Sequence, residues 1–149
     1  MDRDRPDGRQ KDNAMSIRKV RDLEVYRDAF GLAVEIHRLS GEFPADGYDV
    51  QSQIRRSSKS ICALIAEGYG RRESPKDFRN YLRMAHGSLQ ETKVWLEFAQ
   101  ALGFVERSQA RALWKAYDTL GKRMWTLAKR WQSFEEETDQ QRANPTSDL

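Results

Sequence analysis

Three interruptions cut an otherwise continuous helical pattern: Pro44 with Gly47, the G-Y-G at 68–70 followed by Ser74-Pro75, and Gly103. They leave four long segments in which apolar residues return every three or four positions, the spacing of one helix face. Short connections between four amphipathic helices predict an all-α fold, an antiparallel up-down four-helix bundle.

The first segment, about Asp22 to Glu42, carries one stripe of Leu23, Tyr26, Phe30, Ala33 and His37. A second stripe of Val25, Ala29, Leu32, Ile36 and Leu39 lies beside it. The next, about Val50 to Glu67, is expected to bury Val50, Ile54, Ser58, Ile61 and Ile65. Small residues at 57, 58, 60, 62 and 63 permit close helix approach. The G-Y-G is expected to end it, because glycine readily takes the left-handed conformation that closes a helix. The third helix has the clearest start. Ser74 stands at the cap, Pro75 at the first helical position and Asp77 where a capping-box acid belongs. It should run to Leu102 and stop at Gly103, with Phe78, Leu82, Ala85, Leu89, Thr92, Leu96 and Ala99 inward. The fourth, about Ser108 to Phe134, has a seam of Leu113, Tyr117, Leu120, Met124, Leu127, Trp131 and Phe134.

Helices 1, 3 and 4 carry more apolar surface than one core needs. Met84, Val94, Trp95 and Phe98 form a second stripe on helix 3, and Trp114 and Trp125 flank the seam of helix 4. An exposed patch of this kind is a liability on a monomer. These six residues are therefore the candidate interface of a homo-oligomer; a fatter core with bent helices is the other way to bury them.

Composition bounds the rest. A chain of 149 residues is read as one folded domain. Its single cysteine, Cys62, excludes an intramolecular disulfide and fits a reducing cytoplasm. No apolar run is long enough to span a membrane, and the charged N-terminus lacks the apolar stretch of a signal peptide. Residues 1–15 and 135–149 show no apolar period and are read as disordered tails flanking a 16–134 bundle. Met1 and Met15 both remain candidate starts. The bundle segment keeps 21 basic against 14 acidic side chains, a net of +7 where the whole chain has +3.

Catalytic patterns are missing. His37 and His86 lack the glutamate three residues upstream that the di-iron bundle motif needs: those positions are Val34 and Arg83. Cys62 sits among apolar residues, where a thiol is inert. No Walker loop, dinucleotide-binding glycine motif or nucleophile elbow occurs. No enzyme, cofactor or metal is expected. Glu67, an acid at a helix C-terminus, needs compensation by a nearby arginine, as a structural ion pair or in an active role.

The cations carry the functional signal. Arg107, Arg111, Lys115, Lys122 and Lys129 lie near one stripe of helix 4, with Arg123 and Arg130 adjoining. Between Phe104 and Phe134 there are seven basic and two acidic side chains. With Arg55, Arg56, Lys59, Arg71 and Arg72 they fit a phosphate-backbone footprint on RNA or DNA; charge alone also fits a solvated face. The acidic "EEETD" at 135–139 is a candidate internal competitor, folding back over that surface.

Two stretches, "DLEVYRDAFGLAVEIHRLSGEFP" and "SQIRRSSKSICALIAEGYGRRESPKDFRNYLRMAHGSLQETKVWLEFAQALGF", resemble the four-helix-bundle proteins associated with intervening sequences of bacterial 23S ribosomal RNA genes. The resemblance covers about residues 17–132, and that family is similar to the accessory variability proteins of diversity-generating retroelements. The matching positions are Arg55, Arg56, Glu67, Gly68, Gly70 and Arg71, while Lys59 and Cys62 depart from the small or prolyl residues common there. The resemblance implies a ring-like homopentamer with a basic surface and, from the retroelement relatives, binding of nucleic acid and of a reverse transcriptase. It carries over no catalytic residues. The expectation is a cytoplasmic, non-enzymatic bundle binding the backbone of RNA or an RNA–DNA hybrid. Its rival is a scaffold docking a polymerase or reverse transcriptase.

Overall fold

The computed structural model describes residues 19–144, apart from the side chains at 134 and 135. Expectations for residues 1–15, including the alternative start at Met15, lie outside the described residues. After a short 3-10 turn at Val20–Asp22 come α1 (Glu24–Ser40), a second 3-10 turn (Ala45–Gly47), α2 (Tyr48–Gly70), α3 (Pro75–Ala101) and α4 (Arg107–Ala143). Neighbours in sequence pack in turn, most intimately α2 on α3, and α4 closes back on α1. Helices α1 and α3, and α2 and α4, stand diagonally apart.

The core follows the apolar stripes. Ile54, Ile61 and Ile65 of α2, Phe78, Leu82, Leu89 and Leu96 of α3, and Tyr117, Leu120 and Met124 of α4 are all buried. In α1 the inward set is Val25, Ala29, Ala33 and Ile36, whereas Phe30 and His37, expected on a core stripe, are exposed. Their stripe reaches the outer edge of the α1–α2 seam because α1 is in the bundle by a narrower face than its apolar residues could cover.

The α2–α3 seam is close because its residues are small and hydrogen-bonded. Thr92 Oγ1 lies 2.8 Å from Ser57 Oγ and 2.9 Å from the Ser88 carbonyl. Ser60 and Ser88 hydroxyls meet at 3.1 Å. The G-Y-G does not terminate α2 in a left-handed turn: the helix includes Gly70 and is capped at Arg71 with negative φ. Gly68 instead serves the approach, since a Cβ there would stand 2.5 Å from Tyr81 Cβ.

The other boundaries follow local chemistry. Ser74 Oγ accepts from the Asp77 amide at 3.3 Å, with Pro75 at the first helical position. Gly103 takes φ +79°, and the Phe104 and Gly103 amides donate to the Ala99 and Gln100 carbonyls, the paired bonds of a Schellman close. Phe104 then packs on Phe43 at 5.5 Å between centroids.

Helix α4 corrects the expected end of the folded segment: it continues past Phe134 to Ala143. Glutamate, glutamine and arginine are good helix formers without any apolar face to bury, and Gln132 donates to Glu136 one turn on at 3.2 Å. Periodicity cannot detect such a stretch, whose described side chains beyond Trp131 are all exposed. Its acids at 136–143 continue the same helix as the cations and do not fold back over them in this structure. Residues 145–149 lie outside the described part.

Candidate nucleic-acid interface

The twelve cations named from the sequence divide into those the scaffold uses and those it leaves open. Arg55 belongs to the scaffold. Its Nε donates to Ser40 Oγ at 2.7 Å and its Nη2 to the His37 carbonyl at 2.9 Å, capping the C-terminus of α1 from α2. Arg56 is ion-paired with Glu91 of α3. Arg123 reaches Asp28 of α1 at 2.6 Å. Arg72 lies 4.2 Å over the Tyr69 ring and donates to the Tyr69 carbonyl at 3.1 Å. Arg71 sits over Tyr81, 3.9 Å from Glu67, and the Tyr81 hydroxyl donates to Glu67 at 3.0 Å. The carboxylate partner raises the Tyr81 pKa. Glu67 thus occupies a structural cluster at the α2–α3 turn.

Most of the open cations lie on α4. Arg107, Arg111 and Lys115 are exposed and form no ion pair among the described residues; Arg130 is likewise open on the opposite flank. Lys129 hangs 5.4 Å over the Trp125 ring, and Lys122 pairs loosely with Asp118 one turn earlier at 3.3 Å. Lys59 is exposed at the edge of α2, and with Arg55 it lowers the His37 pKa, Arg55 having the larger effect.

Lys93 is the residue sequence reasoning missed. It is 7% exposed, its ammonium 3.1 Å from Asp118 and 4.0 Å over the Trp114 ring. A signal was present: Lys93 adjoins Thr92 of the core stripe, where a long aliphatic stem can bury itself and surface only its head. Lys93 and, next, Lys122 hold the Asp118 carboxyl below the usual carboxylate range.

The six candidate interface residues also separate. Met84, Val94 and Phe98 lie exposed on the outer face of α3, with Leu102 continuing the stripe. Trp95 is half-buried, stacked on Phe98 at 5.6 Å and packed against the core. Trp114 and Trp125, 37% and 62% exposed, lie on the α3-facing flank of α4, and Arg107, Arg111, Lys115, Lys122 and Lys129 spread from that flank onto the outer face. Between α1 and α2 runs an apolar groove of about 490 Å³ lined by Tyr26, Phe30, Ala33, Val34, Cys62 and Ala66, with His37, Arg38 and Lys59 among its lining residues. Burial pushes the Cys62 thiol up to about 11.

Among the described residues no three His, Cys, Asp or Glu side chains cluster as a metal site, and no helix is long and apolar enough to cross a membrane. What remains is an all-helical bundle with one cation-rich, tryptophan-bearing flank. The chain belongs to the 23S rRNA-intervening sequence protein family, whose model matches residues 21–126. It is similar to the crystal structure of a protein of unknown function from the S23 ribosomal protein family of Bacteroides thetaiotaomicron VPI-5482. The two share 27% identity and a TM-score of 0.64 over 70% of this chain and 95% of that one. No curated protein matches the chain.

Proposed function

We propose that this chain is a non-enzymatic, oligomeric, nucleic-acid-binding bundle of the cytoplasm that contacts the backbone of RNA or an RNA–DNA hybrid through α4. The observation that carries this reading is the row Arg107, Arg111 and Lys115, set one turn apart with no carboxylate in ion-pair range among the described residues. Like charges at that spacing repel one another, so the row costs the free protein stability. A polyanion relieves the repulsion and releases its own counterions.

The assembly reading follows from which faces can be dried. Between Met84 and Leu102 the outer stripe of α3 carries no cation except the inward Lys93. Docking that stripe into the α1–α2 groove of another copy desolvates few charges and brings the exposed Glu97 toward Arg38 and Lys59. Groove and stripe are different surfaces, so the contact is head-to-tail, and it makes a ring where the rotation between copies closes. Five copies is the number that the family resemblance supplies. Trp114 and Trp125, beside five cations, stay outside this interface, because burying that flank would strip water from every one of them.

Filter binding of a structured RNA at several salt concentrations, with light scattering on the same samples, tests the reading. Log affinity should fall linearly with log salt, by about 0.9 for each duplex phosphate contacted. A ring-sized particle indifferent to RNA at low salt would remove the nucleic-acid function while keeping the assembly.

A further inference from the structure

We propose that the α3-facing flank of α4 is a single-strand track, on which nucleobases stack against Trp125 and Trp114 while the phosphates follow the cations between Arg107 and Lys129. This rests on the nucleic-acid reading above and names the form of ligand.

Position is the first support. Trp114 and Trp125 are eleven residues apart, three turns of α4, and the basic positions 107, 111, 115, 122 and 129 return to the same side at steps of four and seven. Rings and charges therefore share one broad side of α4, the rings along its α3-facing margin and the cations from there across the outer face.

Exposure is the second. Each indole already has an ammonium over it, Lys93 at 4.0 Å on Trp114 and Lys129 at 5.4 Å on Trp125, yet 37% and 62% of these residues remain in solvent. A duplex keeps the faces of its internal bases stacked inside, out of reach of such rings. An unpaired strand offers both a π-face for the indole and a phosphate for the exposed Lys129, the combination found in single-strand grooves.

The surroundings of Trp125 add a third. A cleft of about 340 Å³ opens beside it, walled by His86, Gln90, Asp118 and Thr126. These groups can donate to and accept from the edge of a base stacked on the ring. From Arg107 to Lys129 the helix rises about 33 Å, the length of roughly ten stacked nucleotides at 3.4 Å each.

Titration of the intact protein with an oligothymidylate of about twelve nucleotides tests the track, following tryptophan fluorescence, beside a duplex of the same length. Wild-type emission should quench with the single strand. Trp125→Ala should weaken oligothymidylate binding roughly tenfold or more and leave duplex affinity unchanged, and Trp125→Phe should restore most of the loss. Equal affinity in Trp125→Ala, or equal losses on both ligands, overturns the track while leaving the proposed function in place. A drop in particle mass in Trp125→Ala also overturns it, by placing the ring in a subunit contact. So does competition by polyglutamate as effective as by oligothymidylate. Absence of wild-type binding to either nucleic acid removes the proposed function and the track together.

Discussion

The ammonium of Lys93 on α3 sits 4.0 Å above the ring of Trp114 on α4, held there by Asp118 at 3.1 Å. The pair fastens two helices at the edge of the core, with the lysine stem buried and the tryptophan as its lid. Lys93→Ala removes both stem packing and charge, and should cost about 1–3 kcal/mol in urea unfolding. Lys93→Met, which keeps the stem, should cost about half as much. Equal losses would place the effect in the charge alone.

Acid should loosen the same contact. Asp118 titrates below its ordinary value because Lys93 and then Lys122 favour its charged form. A depressed folded-state pKa means the contribution is complete above the unfolded value near pH 4 and disappears as pH falls through the lower folded value. Asp118→Asn should therefore be less stable than wild type at neutral pH. The two stability profiles should converge as pH falls below about 4, as read by urea midpoints.

Two glycines of one motif should answer substitution in opposite directions. A Cβ at Gly68 meets Tyr81 Cβ at 2.5 Å, whereas one at Gly70 meets nothing within 4 Å. Gly68→Ala should destabilise by about 1–3 kcal/mol as α2 and α3 are forced apart. Gly70→Ala, in the last turn of a helix with negative φ, should be neutral or stabilise by up to about 1 kcal/mol. Thermal unfolding of the two variants side by side decides it.

These glycines mark the boundary of what was legible from sequence. Caps and stops written in local chemistry, Ser74-Pro75 and Gly103, could be read, and so could the α3 core stripe from Phe78 to Ala99. The G-Y-G could not, because turn closure and close approach ask for the same residue, and only the partner Tyr81 tells them apart. Phe30 and His37 shared a period with core residues, but which side of α1 faces the bundle depends on helices that periodicity does not see. Helix α4 ran past Phe134 on propensity and lateral pairs, signals that an apolar template ignores. For the candidate interface, sequence supplied the cations but not their partners. Asp28 lies 95 positions from Arg123 and Glu91 lies 35 from Arg56, separations at which no local rule pairs charges.

That partition yields a test of which arginines bind. Arg111→Gln with Lys115→Gln removes two open cations, and should reduce the slope of log affinity against log salt by about 1.8 on duplex and about 1.4 on single strands. Stability should stay within about 0.5 kcal/mol of wild type. Arg55→Gln should do the reverse. It strips hydrogen bonds from Ser40 and the His37 carbonyl, costing about 1–2 kcal/mol while leaving the salt slope intact. A slope change in Arg55→Gln comparable to that of the double variant would return Arg55 to the binding surface.

Assembly should depend on α3 rather than on the tryptophans of α4. Phe98 is 49% exposed, stacks on Trp95 at 5.6 Å, and stands in a stripe without outward cations. Phe98→Glu puts a charge where the head-to-tail contact would exclude water, a burial costing several kcal/mol per interface. Light scattering should then report a smaller particle, with helical content unchanged because the side chain lies outside the core. The groove side offers the converse. Lys59→Glu should weaken assembly by setting like charge against Glu97, and Glu97→Lys added to it should restore the larger particle. Recovery in the double charge reversal, but not in either single variant, would tie the α3 stripe of one copy to the α1–α2 groove of the next. Additive losses would separate the two surfaces and leave the ring without its proposed contact.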